Sequence, residues 1–444
     1  MDLGAALPSV RGPVPGPRSR DWVDRLARRE CPAITARRAR RADALGAADT
    51  DPIVWDRAVG ANVQDVDGNV FVDLTAGFGV ASVGHAHPAV VAAGQRQLGR
   101  LPHAMGDAFP DPQRIDLLER LAELTGLDRA ILGSSGADAV EAALKTAQRA
   151  TGRDAVLAFH GGYHGLSYGA LSVLGYKREA FQGPFAGQMS GHVRFSDFGG
   201  PLPDLSDVGA VIVEPIQGRG GVRVPPSGWL EGLVDAAHSA GAVVIFDEIY
   251  TGFRRTGPWL RYQTEGVRPD LVCVGKGMAA GFPISACVGT AAVMDAWGAS
   301  TGEALHTQTF LGNPTGCAMA LACIEVLAGV TDPAETGEWL AAELAARGFR
   351  SRGAGLLRGV VVPEPLRVCR ALLDRGFIVL PSGMGDEMVL CLTPPLTITR
   401  AQLEAFMHAL VAVVAELVAG GPPGGVGGGA PGGAGPERTA EDQP

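Results

Sequence analysis

The sequence predicts an α/β protein in which a large domain, built on a mostly parallel sheet with helices on both faces, carries a smaller α/β domain. Three observations lead there. The chain has 444 residues, more than one small core needs. Short, continuously apolar β-rich runs alternate with segments of helical length and spacing. An apolar run with no polar face is a strand buried on both sides, the mark of a parallel sheet between helix layers.

Taken in order, residues 1–20 are rich in Pro, Gly and Arg and are expected to be a disordered tail. VQDVDGNVFVDL follows, two alternating apolar runs around Asp67-Gly68-Asn69, which predicts a hairpin because Gly tolerates positive φ. Ala155–Phe159, Val208–Pro215, Ala242–Asp247 and Leu271–Val274 read as the buried strands. Asp138–Arg149, Trp229–Ala240 and Thr315–Leu327 read as helices between them. A last helix–strand–helix set, Leu366–Arg375, Phe377–Leu380 and Ala401–Val418, suggests the smaller domain. From about Gly420 the chain is Gly- and Pro-rich and predicts a second disordered tail.

Composition narrows the function. The net charge of −9 is of mixed sign with no basic stripe, so no nucleic-acid partner is expected. No segment is expected to reach the roughly 18 apolar residues of a membrane span, and seven scattered cysteines without a C-x-x-C pair suggest reduced core thiols. The expectation is a soluble, cytoplasmic protein. Of 38 basic residues, only Lys145, Lys177 and Lys276 are lysines, so a lysine-based mechanism has three candidates.

Lys276 follows the strand LVCV between two glycines, where burial would lower its pKa and favour imine chemistry; a structural ion pair is the competing reading. Asp247 ends the strand AVVIFD as a buried acid. No second acid-rich segment with metal-ligand spacing accompanies it, so no metal is expected. Ser134-Ser135-Gly136-Ala137 precedes a helix and offers backbone N–H groups to an anion, without the lysine spacing of a P-loop. Lys145, nine residues on, reads as a helix-face charge. Tyr163 sits in the Gly-rich loop FHGGYHG and can stack on a ring, or be a core residue; His164 beside it reads as structural. An amine, an acid, an anion cradle and a flat side chain are what pyridoxal 5′-phosphate (PLP) asks of a protein.

Together these segments resemble the class III aminotransferases of PLP fold type I, the ornithine and 4-aminobutyrate type. The resemblance runs from about Pro52 to Val418 through DVDGNVFVDL, GHAHP, SSGADAVEAALK, YHG, EPIQG, DEIYTGFRRTG, PDLVCVGKGM, TFLGNP and TPPLTIT, in the family's order. It implies a mostly parallel seven-stranded sheet flanked by helices in a large domain (76–329). A small domain is assembled from residues 21–75 and 330–418, between tails 1–20 and 419–444. It implies that Lys276 carries PLP as a Schiff base and shuttles the proton. Asp247 pairs with the pyridinium, and Ile249 and Tyr163 pack its two faces. Ser135, Gly136 and Ala137 hold the phosphate, and Glu214 lies near the ring. It also implies a homodimer in which Thr309 reaches the neighbouring subunit's cofactor.

The departures concern substrate. Cys391, in VLCLTPPL, stands where the family has an Arg that grips an α-carboxylate. Arg219, in QGRGG, stands where a gate Glu pairs with that Arg. Leu166 replaces an Arg that binds a distal carboxylate, Tyr250 replaces a Gln near the cofactor, and Phe78 falls on the substrate pocket. An acceptor without an α-carboxylate is therefore expected, with Arg219 as a relocated charge; a pocket served by another arginine such as Arg254 is the plainer alternative. Racemases and decarboxylases use the same lysine and acid, so transamination leads without excluding them. A catalytically inactive scaffold would be expected to have lost one of these cofactor residues.

Overall fold

The computed structural model describes residues 3–35, 52–299 and 302–419. In the N-terminal part β1 (Trp55–Val59), β2 (Asn62–Asp65) and β3 (Val70–Asp73) form an antiparallel meander, turned at Gly68 with φ 89°. The middle of the chain supplies β4 (Arg129–Gly133), β5 (Ala155–Phe159), β6 (Val193–Ser196), β7 (Val208–Val213), β8 (Val243–Asp247), β9 (Leu271–Val274) and β10 (Ser285–Gly289). The C-terminal part adds β11 (Ser351–Ala354), β12 (Leu357–Val360), β13 (Phe377–Ile378), β14 (Leu380–Ser382) and β15 (Val389–Leu392).

The large sheet has seven strands in the order β4-β10-β9-β8-β7-β5-β6. Every ladder from β9 to β6 is parallel, and β10 runs antiparallel to both neighbours. Its strands are buried on both faces. Val211, Val213, Val244 and Phe246 point into one core, while Ala210, Ile212, Val243 and Ile245 point into another beneath the helix Gly136–Thr151. Two four-stranded sheets, β1-β2-β3-β13 and β11-β12-β15-β14, make the smaller α/β region. β13 pairs in parallel with β3 through Phe377↔Val72 and Ile378↔Asp73, so N- and C-terminal segments share one sheet.

Two expectations need correction. Residues 3–20 are not a loose tail. They lie along the first small sheet: Ser9 bridges Val70, Asn62 Oδ1 accepts the Gly4 and Ala6 N–H groups, Asn69 Oδ1 accepts that of Arg11, and a helix, Pro17–Ala27, starts against the Asp67 carboxylate. Their composition suggested disorder, but side-chain acceptors on the hairpin satisfy their backbone. The last helix, Arg400–Ala419, is also long and apolar enough to match a membrane span by length and composition. Its Leu403, Phe406, Met407, Leu410 and Val413 are packed into the core, so it is accounted for as a core helix. The Gly/Pro-rich stretch 420–444 lies outside the described residues.

Candidate active site

The carboxyl ends of the parallel strands gather the candidate residues on one edge of the large sheet, where ligands bind in open α/β folds. β4 leads through Ser134 into the helix Gly136–Thr151, and β5 into the loop bearing Tyr163 and His164. β7 ends just before Glu214, β8 ends on Asp247, and β9 ends two residues before Lys276.

The anion cradle is a capped helix start. Ser135 has extended φ of −136°, its Oγ accepts the Asp138 N–H at 3.3 Å, and Asp138 Oδ2 accepts the N–H groups of Ser134 (3.0 Å) and Ser135 (2.9 Å). This box occupies the third amide of the turn and leaves those of Gly136 and Ala137 without an intrahelical acceptor, at the positive end of the helix dipole. Ser285 Oγ donates to the Ser135 carbonyl at 2.5 Å and ties β10 to the cap. Gly136 admits no side chain, because a Cβ there would stand 2.9 Å from Ile249 Cδ1. Gly165 (φ 123°) lets the Tyr163 loop close on the same turn, where a Cβ would lie 2.8 Å from that of Ala137.

Beside the cradle lies a group of coupled charges. Asp247 is buried; its Oδ1 accepts the Ile249 N–H at 3.1 Å and its Oδ2 stands 2.8 Å from His164 Nδ1. Burial opposes a charge on His164, but the bond to Asp247 and the negative charges of Asp247 and Glu214 together outweigh it and raise the His164 pKa. His164 Nε2 has no hydrogen-bond partner among the described residues. Glu214 accepts the Tyr163 N–H (2.8 Å) and the Gly218 N–H (3.2 Å), and burial pushes its carboxyl up to about 7. Burial likewise pulls the Lys276 amine below its ordinary range, against Asp247 and Glu214, which favour its charge, and with Arg219, which opposes it. An amine so lowered is more available as a nucleophile. The sequence alone suggests a structural His164; in the structure it is the direct partner of the candidate acid, and only its place next to Tyr163 hints at this.

The substrate-side residues group differently from the sequence reading. The Tyr250 ring packs between Gly79 and Gly218, with Lys276 Nζ 4.8 Å above its centroid. Its hydroxyl lies 3.3 Å from Thr393 Oγ1 and 3.8 Å from Cys391 Sγ. Burial pushes the Cys391 thiol up to about 11, so it is a neutral wall, even though the Arg255 and Arg219 guanidiniums act to lower it. Arg219 packs over Tyr163 (5.2 Å) and Tyr176 (5.4 Å), and its Nε has no hydrogen-bond partner among the described residues. Arg254 is not available to the pocket: its Nη1 donates to the Leu327 and Val330 carbonyls at the end of the helix Pro314–Ala328. Sequence reasoning missed Arg255, which is fully buried, bonds the Leu356 and Pro394 carbonyls, and is held down to about 10 by burial. Phe78 and Leu166 are about half exposed, and Thr309 is exposed. Lys145 is a helix-face charge near His306.

The aminotransferase class-III family matches residues 45–414. The chain belongs to that family. Acetylornithine aminotransferase of Methanosarcina mazei is 37% identical over 371 residues, covering 81% of this chain and 91% of its own. The protein of that name from Mycobacterium tuberculosis is 39% identical over 383 residues, covering 82% and 92%. Among solved structures, an amine transaminase from an uncultivated Pseudomonas species in PLP-bound form has a TM-score of 0.75 at 29% identity, covering 83% of this chain and 95% of its own. Ornithine aminotransferase of Toxoplasma gondii has a TM-score of 0.77 at 29% identity, covering 89% and 95%. This class-III aminotransferase is a PLP-dependent enzyme with the type I fold. Its residues fit the cofactor: an acid for the pyridine nitrogen, an amine of lowered basicity, and two free amides at a glycine that a Cβ would close.

Proposed function

We propose that this aminotransferase draws its amino group from a donor bearing a carboxylate, which Arg219 receives, and passes it to a carbonyl acceptor that has no α-carboxylate. PLP supplies the electron sink. Lys276 anchors it and moves the substrate proton, and Asp247, braced by His164, keeps positive charge on its pyridine nitrogen. Ser135, Gly136 and Ala137 hold the phosphate, Ile249 and Tyr163 flank the ring, and Glu214 fixes the loop that carries Tyr163. Thr309, exposed in one chain, would complete the cradle of a second copy in a homodimer. Mass measurement of the native protein tests that part.

The observation that carries the substrate reading is Arg219, a guanidinium whose charge acts on both Lys276 and the neutral Cys391 and whose Nε has no partner among the described residues. The curated relatives are named for acetylornithine, a carboxylate-bearing substrate; Cys391 and Tyr250 are the grounds for giving this chain a different acceptor. Stopped-flow absorbance of the PLP-loaded protein tests it, with L-glutamate, L-alanine and benzylamine as donors. The visible band, absent in Lys276→Ala, should bleach with an amino acid. Arg219→Ala should slow that step about 100-fold, the loss of a charge-assisted contact, while benzylamine is unaffected. The bleached protein should then recover its band with benzaldehyde. Glutamate turnover that survives Arg219→Ala, or recovery with 2-oxo acids alone, would sink the reading. Racemised amino acid without bleaching would mean a racemase.

A further inference from the structure

The substrate side of the site is built on a turn of unusual hand. Ala76, Gly77, Phe78 and Gly79 all have positive φ (46°, 57°, 69° and 78°), a left-handed stretch in which Ala76 and Phe78 carry side chains that oppose it. What holds it is Asp73. This fully buried carboxylate accepts from the Thr75 N–H (2.8 Å) and Oγ1 (2.6 Å), the Gly77 N–H (3.1 Å) and His85 Nε2 (2.8 Å). His85 is fixed in turn by a backbone bridge to Gly60 and by the edge of Trp55, 5.7 Å between ring centres.

Two contacts run from this turn to Tyr250. Gly79 lies flush with the ring, since a Cβ there would stand 2.5 Å from Tyr250 Cε2. The Thr75 carbonyl accepts Thr393 Oγ1–H at 3.0 Å, and the same Thr393 oxygen meets the Tyr250 hydroxyl at 3.3 Å. Gly218 closes the other side, where a Cβ would fall 2.1 Å from Tyr250 Cδ1. Held by both glycines and by Thr393, the ring face stays under Lys276 Nζ at 4.8 Å.

We propose that Asp73 and His85 are positioning residues of the reaction, which act through the left-handed turn to seat the Tyr250 ring against the Lys276 nitrogen. The inference rests on Lys276 being the cofactor's anchor. The electron-rich ring face favours positive charge on that nitrogen. It works beside Asp247, with His164 behind it, and Glu214, and against Arg219, the other charged groups that act on Lys276. The turn therefore helps to set how strongly this nitrogen holds a proton, which is the property a proton-shuttling lysine must have tuned.

The test is a pH titration of the visible absorbance band of the PLP-loaded protein, in the unsubstituted chain and in His85→Ala, Gly79→Ala and Tyr250→Leu. Each variant should keep the band and move its midpoint to lower pH by about one unit, because the charged form loses the ring. Adding His85→Ala or Gly79→Ala to Tyr250→Leu should move it no further, and His85→Gln, which can still donate to Asp73, should restore the midpoint. If His85→Ala does not fold, Gly79→Ala carries the same comparison. An unmoved midpoint in any single variant, or shifts that add in the doubles, overturns the proposal. A band that persists in Lys276→Ala would instead remove Lys276 as anchor, and the inference with it.

Discussion

Asn62→Ala is the most direct test of how the N-terminal segment is held. The Asn62 side chain is fully buried and makes four hydrogen bonds of 3.1 Å or less. Its Oδ1 accepts the Gly4 and Ala6 N–H groups, and its Nδ2 donates to the Ala6 and Phe71 carbonyls. Each bond contributes about 1 kcal/mol net, so their loss should cost about 4 kcal/mol. A chain of 444 residues unfolds with an entropy of about 0.9 kcal/mol/K, from roughly 2.1 cal/mol/K per residue, so the midpoint should fall by about 4–5 °C. Scanning calorimetry at one fixed rate measures the fall, and limited trypsin digestion followed by mass spectrometry should show faster cutting at Arg11 and Arg18. A midpoint within one degree of the parent, with an unchanged digestion pattern, would mean that residues 3–20 are the loose tail their composition suggests.

Cys391→Arg adds a third guanidinium at a buried position on which the Arg219 and Arg255 charges already act, and an unpaired buried charge costs about 3–5 kcal/mol. It should lower the thermal midpoint, and adding Arg219→Glu should recover at least half of the loss by supplying a partner; no recovery would mean that the two positions do not face each other. In the cofactor-free protein, Glu214 is raised from its ordinary 4.5 to about 7, and His164 is raised as well. Groups raised on folding stabilise the protein fully below their unfolded values, and that contribution is lost as pH climbs through the folded ones. Stability should therefore decline between about pH 4.5 and 7, and Glu214→Gln should make the decline shallower, leaving the share of Glu248, which burial also raises to about 7; both are read by chemical denaturation across that range.

Much of the cofactor side was legible in the chain. Lys276 and Asp247 stand at the ends of continuously apolar runs, and such runs have few alternatives to buried parallel strands. Ser135 and Asp138 spell a capping box in the sequence itself. The N-terminal segment was not legible, because its partners Asn62, Asp67, Asn69 and Gln402 are distant in sequence and bond to main chain, which leaves no periodicity. β4 and β10 were missed for a different reason: RAILG and SACVG begin on Arg129 and Ser285 and end in glycine, so neither is a continuous apolar run. The seat of Tyr250 depends on Gly79, Gly218 and Thr393 from three separate segments. No local pattern could name them together.

β10 lies between β9, which leads to Lys276, and β4, which leads to the cradle. Adjacent strands are spaced by about 4.8 Å, so the amine and the anion site are mounted on rails about 9.6 Å apart, and the hydrogen-bond ladder fixes that gauge. No loop change can stretch it. The wall of Gly79, Gly218, Tyr250 and Cys391 has no such common ladder, since its pieces arrive from different segments and are joined by single contacts such as the Thr393 N–H to the Leu74 carbonyl and the Gly383 N–H to the Arg219 carbonyl. Drift in what the enzyme accepts can therefore accumulate in that wall while the grip on the cofactor stays the same, which makes the fold a chassis for trying new substrates.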